Sequence, residues 1–315
     1  WAMLAARKMT KSTVTDQLTT MGRPQAGDFA ALTKARLSLL VVVTSVCGYI
    51  AASRTLGTFS WGMLGHTFFG TLLCAFGAGV FNQIMEVKED ALMHRTADRP
   101  LPGRRIPVAV AFALGWVLSG FGIIHLGVKV HPVSAAFAAL TLGTYLFIYT
   151  PLKRYSAWNT VVGAVSGALP PLIGWAAGSG GQWLGWGPAY FFLLLFGWQM
   201  PHFLAINWMY RDDYIRGGFV MWSNQDDSGR RTAVLALVFS CLLVVVALLP
   251  SLGGLVHGWA LPLLVALAGW TVWLNVAFLR EPNRDRARRL FFWTLGYLPL
   301  TLMVALFGWR SPALP

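Results

Sequence analysis

The chain has 315 residues, of which only 12% are charged, a mean hydropathy of +0.57 and a formal net charge of +13. A soluble domain carries about a quarter charged residues, so the composition excludes one and points to an all-α polytopic membrane protein. The positive charge follows from sorting across a membrane and from contact with anionic membrane lipid, so no nucleic-acid partner is expected.

A polar arm, residues 1–30, comes first, with the remainder, 31–315, forming one transmembrane domain. Met9 reads as the start, after an eight-residue extension. Arg7, Lys8 and Lys11 are followed by polar sequence rather than an apolar core, so no signal peptide is expected. Nine apolar stretches follow, at 37–53, 63–86, 107–126, 132–150, 160–177, 186–208, 232–250, 258–279 and 290–308. Each is long enough, or nearly so, to cross the ~30 Å hydrocarbon core. They are too long for barrel strands, and lipid leaves helices as the other way to satisfy the backbone. Glycines in 68–80 and 163–178 permit close helix contact. Pro170-Pro171 predicts a kink in the fifth helix. Cys47, Cys74 and Cys241 have no CxxC partner and read as small buried hydrophobes.

Of the 25 Lys and Arg residues, 22 fall on one side if the N-terminus is cytoplasmic. That bias predicts the N-terminus inside and the C-terminus outside. All 12 acidic residues fall on the cytoplasmic side too, which places the chemistry there. Long polar loops follow the second and sixth helices, a spacing that suggests a duplicated four-helix unit.

The first loop carries the sharpest pattern. Asn82, Glu86 and Asp90 stand at i, i+4 and i+8 in NQIMEVKEDALMHRTADRPLPGRR, which puts three oxygen-bearing side chains on one helical face. Such donors suit Mg²⁺, which bridges readily to phosphate. Arg95, Arg99, Arg104 and Arg105 follow, and guanidinium forks grip phosphate oxygens. The ordinary alternative is a helix end with solvated charges. The second loop, WQMPHFLAINWMYRDDYIRGGF, holds Asp212 and Asp213 between Arg211 and Arg216, flanked by Tyr210 and Tyr214. It either completes the same site or forms a local salt-bridged helix end. Lys153-Arg154, and likewise Lys34 and Arg36, fit membrane-flanking charge. His202 is either a satisfied bundle residue or an iron ligand.

These segments resemble the membrane-embedded prenyltransferase superfamily, and within it the branch that farnesylates haem. LTKARLSLLV (32–41), NQIMEVKEDALMHRTADRPLP (82–102), YTPLKRYSAWNTVVGAVSGALPPLIGWAA (149–177) and the second loop carry the likeness; WQMPHF and GALPPLIGWAA are its specific parts. The sequence departs from the superfamily pattern in three places. Glu86 stands where Asp is usual. The usual second DxxxD is replaced by Tyr210 and Tyr214 around Asp212 and Asp213. Lys34-Ala35-Arg36 replaces Lys-Pro-Arg.

The resemblance implies a nine-helix bundle in a bacterial inner membrane, with a cytoplasm-facing polar site. Its substrates would be haem B and farnesyl diphosphate. Asn82, Glu86 and Asp90, with Asp212 and Asp213, would hold Mg²⁺. Arg95, Arg99, Lys153, Arg154 and Arg216 would neutralise the diphosphate, and His202, Tyr210 and Tyr214 would contact haem. A downstream haem-modifying or oxidase-assembly protein would be the partner. The alternatives are a prenyltransferase acting on a quinone precursor or another tetrapyrrole, a non-catalytic haem-binding assembly factor, and a transporter. Acids clustered at one membrane face, rather than at mid-depth, argue against the last.

Overall fold

A computed structural model describes residues 24–311. The proposed Met9 start and most of the polar arm lie outside the described residues. Among those residues, nine helices are long and apolar enough to cross a membrane: Ala35–Leu56, Trp61–Met85, Val108–Lys129, Pro132–Leu152, Asn159–Gly178, Trp186–Met209, Arg230–Leu252, Ala260–Arg280 and Arg284–Phe307. They match the nine apolar stretches to within a few residues, save at the ninth, which begins six residues earlier than expected. Its extra turns carry Arg284, Arg286, Arg288 and Arg289, whose long stems let a helix continue into polar surroundings. Residues 26–32, where the polar arm runs into the transmembrane domain, form a short helix whose Asp28 accepts from Arg105 Nε at 2.7 Å. That ion pair ties the arm to the first polar loop. Cys47 and Cys74 are buried, whereas Cys241 is exposed on the outer face of its helix.

The spans fall into two contacting groups, 1–5 and 6–9, joined mainly where the fifth meets the sixth. The expected four-plus-four duplication is therefore not how the helices pack. Small residues set the closest approaches. The first and fifth spans meet backbone to backbone: a Cβ on Gly174 would lie 1.7 Å from Ser45 O, and one on Gly48 would lie 2.1 Å from Pro171 O. Gly77 and Gly122 likewise bring the second and third spans close, with the Ser119 hydroxyl and the Cys74 thiol seated against them. Without a hydrophobic drive between helices in lipid, such close packing is what holds them.

Two irregularities shape the interior. The fifth span breaks at Leu169, between Asn159–Ala168 and Pro170–Gly178, as the proline pair requires. The fourth span widens into a π-helix over Thr144–Tyr149, which nothing in the hydropathy pattern announced. Spans 1, 2, 4, 5 and 6 enclose an apolar cavity of about 230 Å³, with Lys34, Tyr145, Tyr149 and Gln199 among its walls.

The glycine seam yields a stability prediction. Gly174→Ala should lower the thermal stability of the detergent-solubilised protein by about 1–3 kcal/mol, the usual cost of overpacking; Gly296→Ala, which meets nothing within 4 Å, should leave the melting temperature within error.

Candidate functional site

The second span ends at Met85, and Glu86 links it to a short helix, Val87–Leu92. The bonds Glu86 N→Asn82 O (3.0 Å) and Asp90 N→Glu86 O (2.8 Å) carry the i, i+4 spacing through that join. Asn82, Glu86 and Asp90 therefore keep a common face, and all three are buried.

Each acid is matched by a base. Lys153 Nζ donates to Glu86 Oε1 at 2.8 Å, Arg99 to Asp90 Oδ2 at 2.6 Å, and Arg154 Nε to Glu89 Oε1 at 2.7 Å. Lys34 Nζ donates to Asn82 Oδ1 at 2.5 Å, and Asn82 Nδ2 donates to Thr150 Oγ1 at 3.1 Å. Thr96 Oγ1 donates to Asp90 O and helps turn the loop back so that Arg99 reaches Asp90. One acceptor is left over: Asp90 Oδ1 is buried and has no partner among the described residues.

Electrostatics follow from this crowding. Burial alone raises the Glu86 carboxyl, but the Lys153 and Lys34 ammoniums outweigh it and leave Glu86 below its usual range. Burial prevails at Asp90, which stands above the ordinary value despite Arg99. Lys153 is lowered by burial, yet Glu86 and the nearby tyrosines carry it well above the ordinary lysine value. Lys34 is pushed down to about 7, first by burial and then by Arg99, with Glu86 opposing.

The second loop folds onto the first. Met93, Phe219 and Met221 form a buried cluster with Tyr214 against it. His94 N donates to Asp213 Oδ1 at 3.4 Å, and Arg216 pairs with Asp213 at 3.1 Å. The Arg95 guanidinium lies over Tyr210 and Tyr214, 5.3 and 6.0 Å from their centroids. Val220 N donates to Lys153 O at 2.7 Å, and the Lys153 ammonium lies 4.5 Å from the Tyr149 centroid and 5.4 Å from that of Phe219.

Most of the residues expected to form the site thus stand together: Asn82, Glu86, Asp90, Arg99 and Lys153 in its buried part, with Arg95, Arg154, Asp213 and Arg216 on the rim. Asp212 does not join them; it is exposed on a separate side of the short helix Arg211–Arg216. Tyr210 and Tyr214 lie beneath Arg95. His202 does not line the cavity. Its ring stacks between Trp198 (5.2 Å) and Phe291 (5.0 Å), and its Nδ1 is 2.9 Å from Thr294 Oγ1 of the ninth span.

Sequence reasoning passed over three residues. Lys34 was indistinguishable from a membrane-flanking charge, yet it contacts Asn82 and lines the cavity. Its left-handed backbone (φ 50°) is unusual for a residue with a side chain. Tyr145 and Tyr149 are brought to the cavity wall by the π-helix, a distortion common at functional sites.

Among the described residues no three His, Cys, Asp or Glu side chains already converge as a metal cage. Mg²⁺ does not need one, since one or two carboxylates plus substrate phosphate suffice. The oxygen-only donors of Asn82, Glu86 and Asp90, with Asp90 Oδ1 unpartnered, fit such an ion.

The chain has relatives of known kind. The sequence matches the model of the UbiA prenyltransferase family over residues 41–296. It is 44% identical to a protoheme IX farnesyltransferase of Opitutus terrae over 278 residues, which are 87% of this chain and 92% of the relative. The fold resembles the structure of digeranylgeranylglyceryl phosphate synthase, with a TM-score of 0.74 at 15% identity, covering 93% of this chain and 98% of the other. It also resembles a UbiA homologue from Archaeoglobus fulgidus bound to GPP and Mg²⁺, with a TM-score of 0.58 at 12% identity, covering 88% and 99%. By the extent of the family match and by its kinship with the Opitutus enzyme, the chain belongs to the UbiA prenyltransferase family.

Proposed function

We propose that this protein transfers the farnesyl group of farnesyl diphosphate to a vinyl group of haem B, giving haem O. The observation that carries the reading is a buried acid–base cluster at the rim of an apolar cavity, in a chain 44% identical to a haem farnesyltransferase. In this reading the rim faces the cytoplasm of a bacterial inner membrane, which the 22-to-3 division of basic residues supports.

Asn82, Glu86 and Asp90, with Asp213, would hold Mg²⁺, which when bound supplies Lewis-acid neutralisation of the leaving group. Lys34, Lys153, Arg99 and Arg95 bind diphosphate oxygens, with Arg154 and Arg216 at the rim. Preorganised cations of this kind are worth most where water is excluded. As substrate enters, the bases exchange their carboxylate partners for phosphate, so the pocket never carries a large unpaired charge. The C–O bond then ionises. Tyr145 and Tyr149 present ring faces to the allylic cation, and the apolar walls keep water from it until the vinyl group arrives. The terminal vinyl carbon bonds to C1 of the farnesyl group, and water adds to the inner carbon. A haem contact by His202 would use Nε2, since Nδ1 is engaged by Thr294.

Three outcomes follow. Purified protein given haem B, farnesyl diphosphate and Mg²⁺ should form haem O by mass spectrometry, and EDTA should abolish it; a quinone precursor farnesylated in preference to haem would overturn the reading. Asp90→Asn should fold normally and lose about 10²–10³-fold in kcat/KM, the scale of losing one preorganised charge contact; near-normal turnover removes Asp90 from the site. The Lys34 ammonium is present below about pH 7 and lost above it, so KM for farnesyl diphosphate should rise as pH climbs through 7. Lys34→Arg should flatten that rise, because arginine keeps its charge.

A further inference from the structure

The WQMPHF segment marks the sixth span, and the buried acid–base cluster uses none of it. Its residues face two ways. Trp198 and His202 pack on the ninth span: Trp198 Nε1 donates to Thr294 O at 2.6 Å, and His202 meets Thr294 Oγ1. Gln199 turns instead to the cavity, where it is only 6% exposed. Its Nε2 donates to Ala164 O (3.2 Å) and Leu195 O (3.0 Å), which uses both amide protons and fixes which end of the amide is oxygen. Oε1 has no donor among the described residues. Gly167 leaves room for it, since a Cβ there would lie 2.0 Å from Oε1.

The surroundings make this oxygen distinctive. The serine hydroxyls and Thr141 on the same walls spend their protons locally: Ser38 on Thr33 O, Ser166 on Gly163 O and Thr141 on Phe137 O. Most other lining groups are aliphatic. Gln199 stands ten residues before the end of its span at Met209, about 15 Å along a helix rising 1.5 Å per residue. It is a fixed amide acceptor on the cavity wall; Gly163, next to the Ala164 that it bonds, packs on Tyr149, the ring beneath the Lys153 ammonium. A polar atom that faces a cavity with no protein donor is a place for an ordered water.

We infer that Gln199 is the positioning residue for the water that completes the reaction. This rests on the haem-farnesylating reading above. When farnesyl C1 bonds to the terminal vinyl carbon, the vinyl π electrons are consumed and the inner carbon becomes cationic. A water donating one hydrogen bond to Gln199 Oε1 directs a lone pair at that carbon. The C–O bond forms, and the surplus proton passes to the released diphosphate. If no water stands there, the same cation loses a proton from the adjacent, newly formed CH₂ and gives an alkene, lighter than haem O by one water.

The test is the ratio of alkene to alcohol product, read by mass spectrometry from full-length protein in detergent with haem B, farnesyl diphosphate and Mg²⁺. Gln199→Leu should still consume haem B but raise that ratio about 10-fold or more, the worth of roughly one hydrogen bond. Gln199→Glu, which keeps an acceptor, should restore the alcohol. An unchanged ratio in Q199L, or lost turnover with no alkene, overturns the role. Should Q199L not fold, Gly167→Ala displaces Oε1 instead; it should raise the ratio, and a wild-type ratio there overturns the inference equally. Wild-type protein that farnesylates no haem overturns the underlying reading; wild-type turnover with an unchanged Q199L ratio removes Gln199 alone.

Discussion

Charge compensation in a buried place is the constraint on which the rest depends. Glu86 and Asp90 are almost wholly out of solvent, and isolated carboxylates there would cost several kcal/mol each. Lys153 and Arg99 offset that cost from two different segments. The pairs thereby fix how the fourth span and the first polar loop sit on the second span. The segment 217–221 then has a surface to close over, with Val220 bonded to the backbone of Lys153 and Phe219 laid on its ammonium. A site made of matched charges can take up an anion and a cation together while its net charge scarcely changes. That suits a substrate delivered as a metal diphosphate.

Much of this was legible in the sequence. Spans are set by the thickness of hydrocarbon, so their number and approximate ends follow from apolar run length alone. The Asn82, Glu86 and Asp90 face follows from helical periodicity, and it survives the break at Glu86 because the hydrogen bonds on either side persist. The helix interruption at Leu169 follows from two adjacent prolines. The association of the two polar loops was expected from their common side, and Met93, Phe219 and Met221 supply the apolar contact that effects it.

What stayed hidden was whatever depends on direction around a helix axis without a chemical marker. A π-turn alters which side chains share a wall, yet TYLFIY reads as ordinary apolar helix. Lys34 has the composition of a membrane flank; only its left-handed backbone turns it inward. His202 sits three residues from Gln199, and the two face different neighbours. Asp212 and Asp213 are adjacent, so a short helix necessarily points one of them elsewhere.

The seam between the first and fifth spans also bears on the cavity wall. Ser45 and Tyr49 meet Gly174 with no side chain between the two backbones, close in sequence to Val41 and Ile173 of that wall. Two helices held main chain to main chain have no side chain between them that could repack, so this part of the wall resists displacement by whatever fills the space beside it.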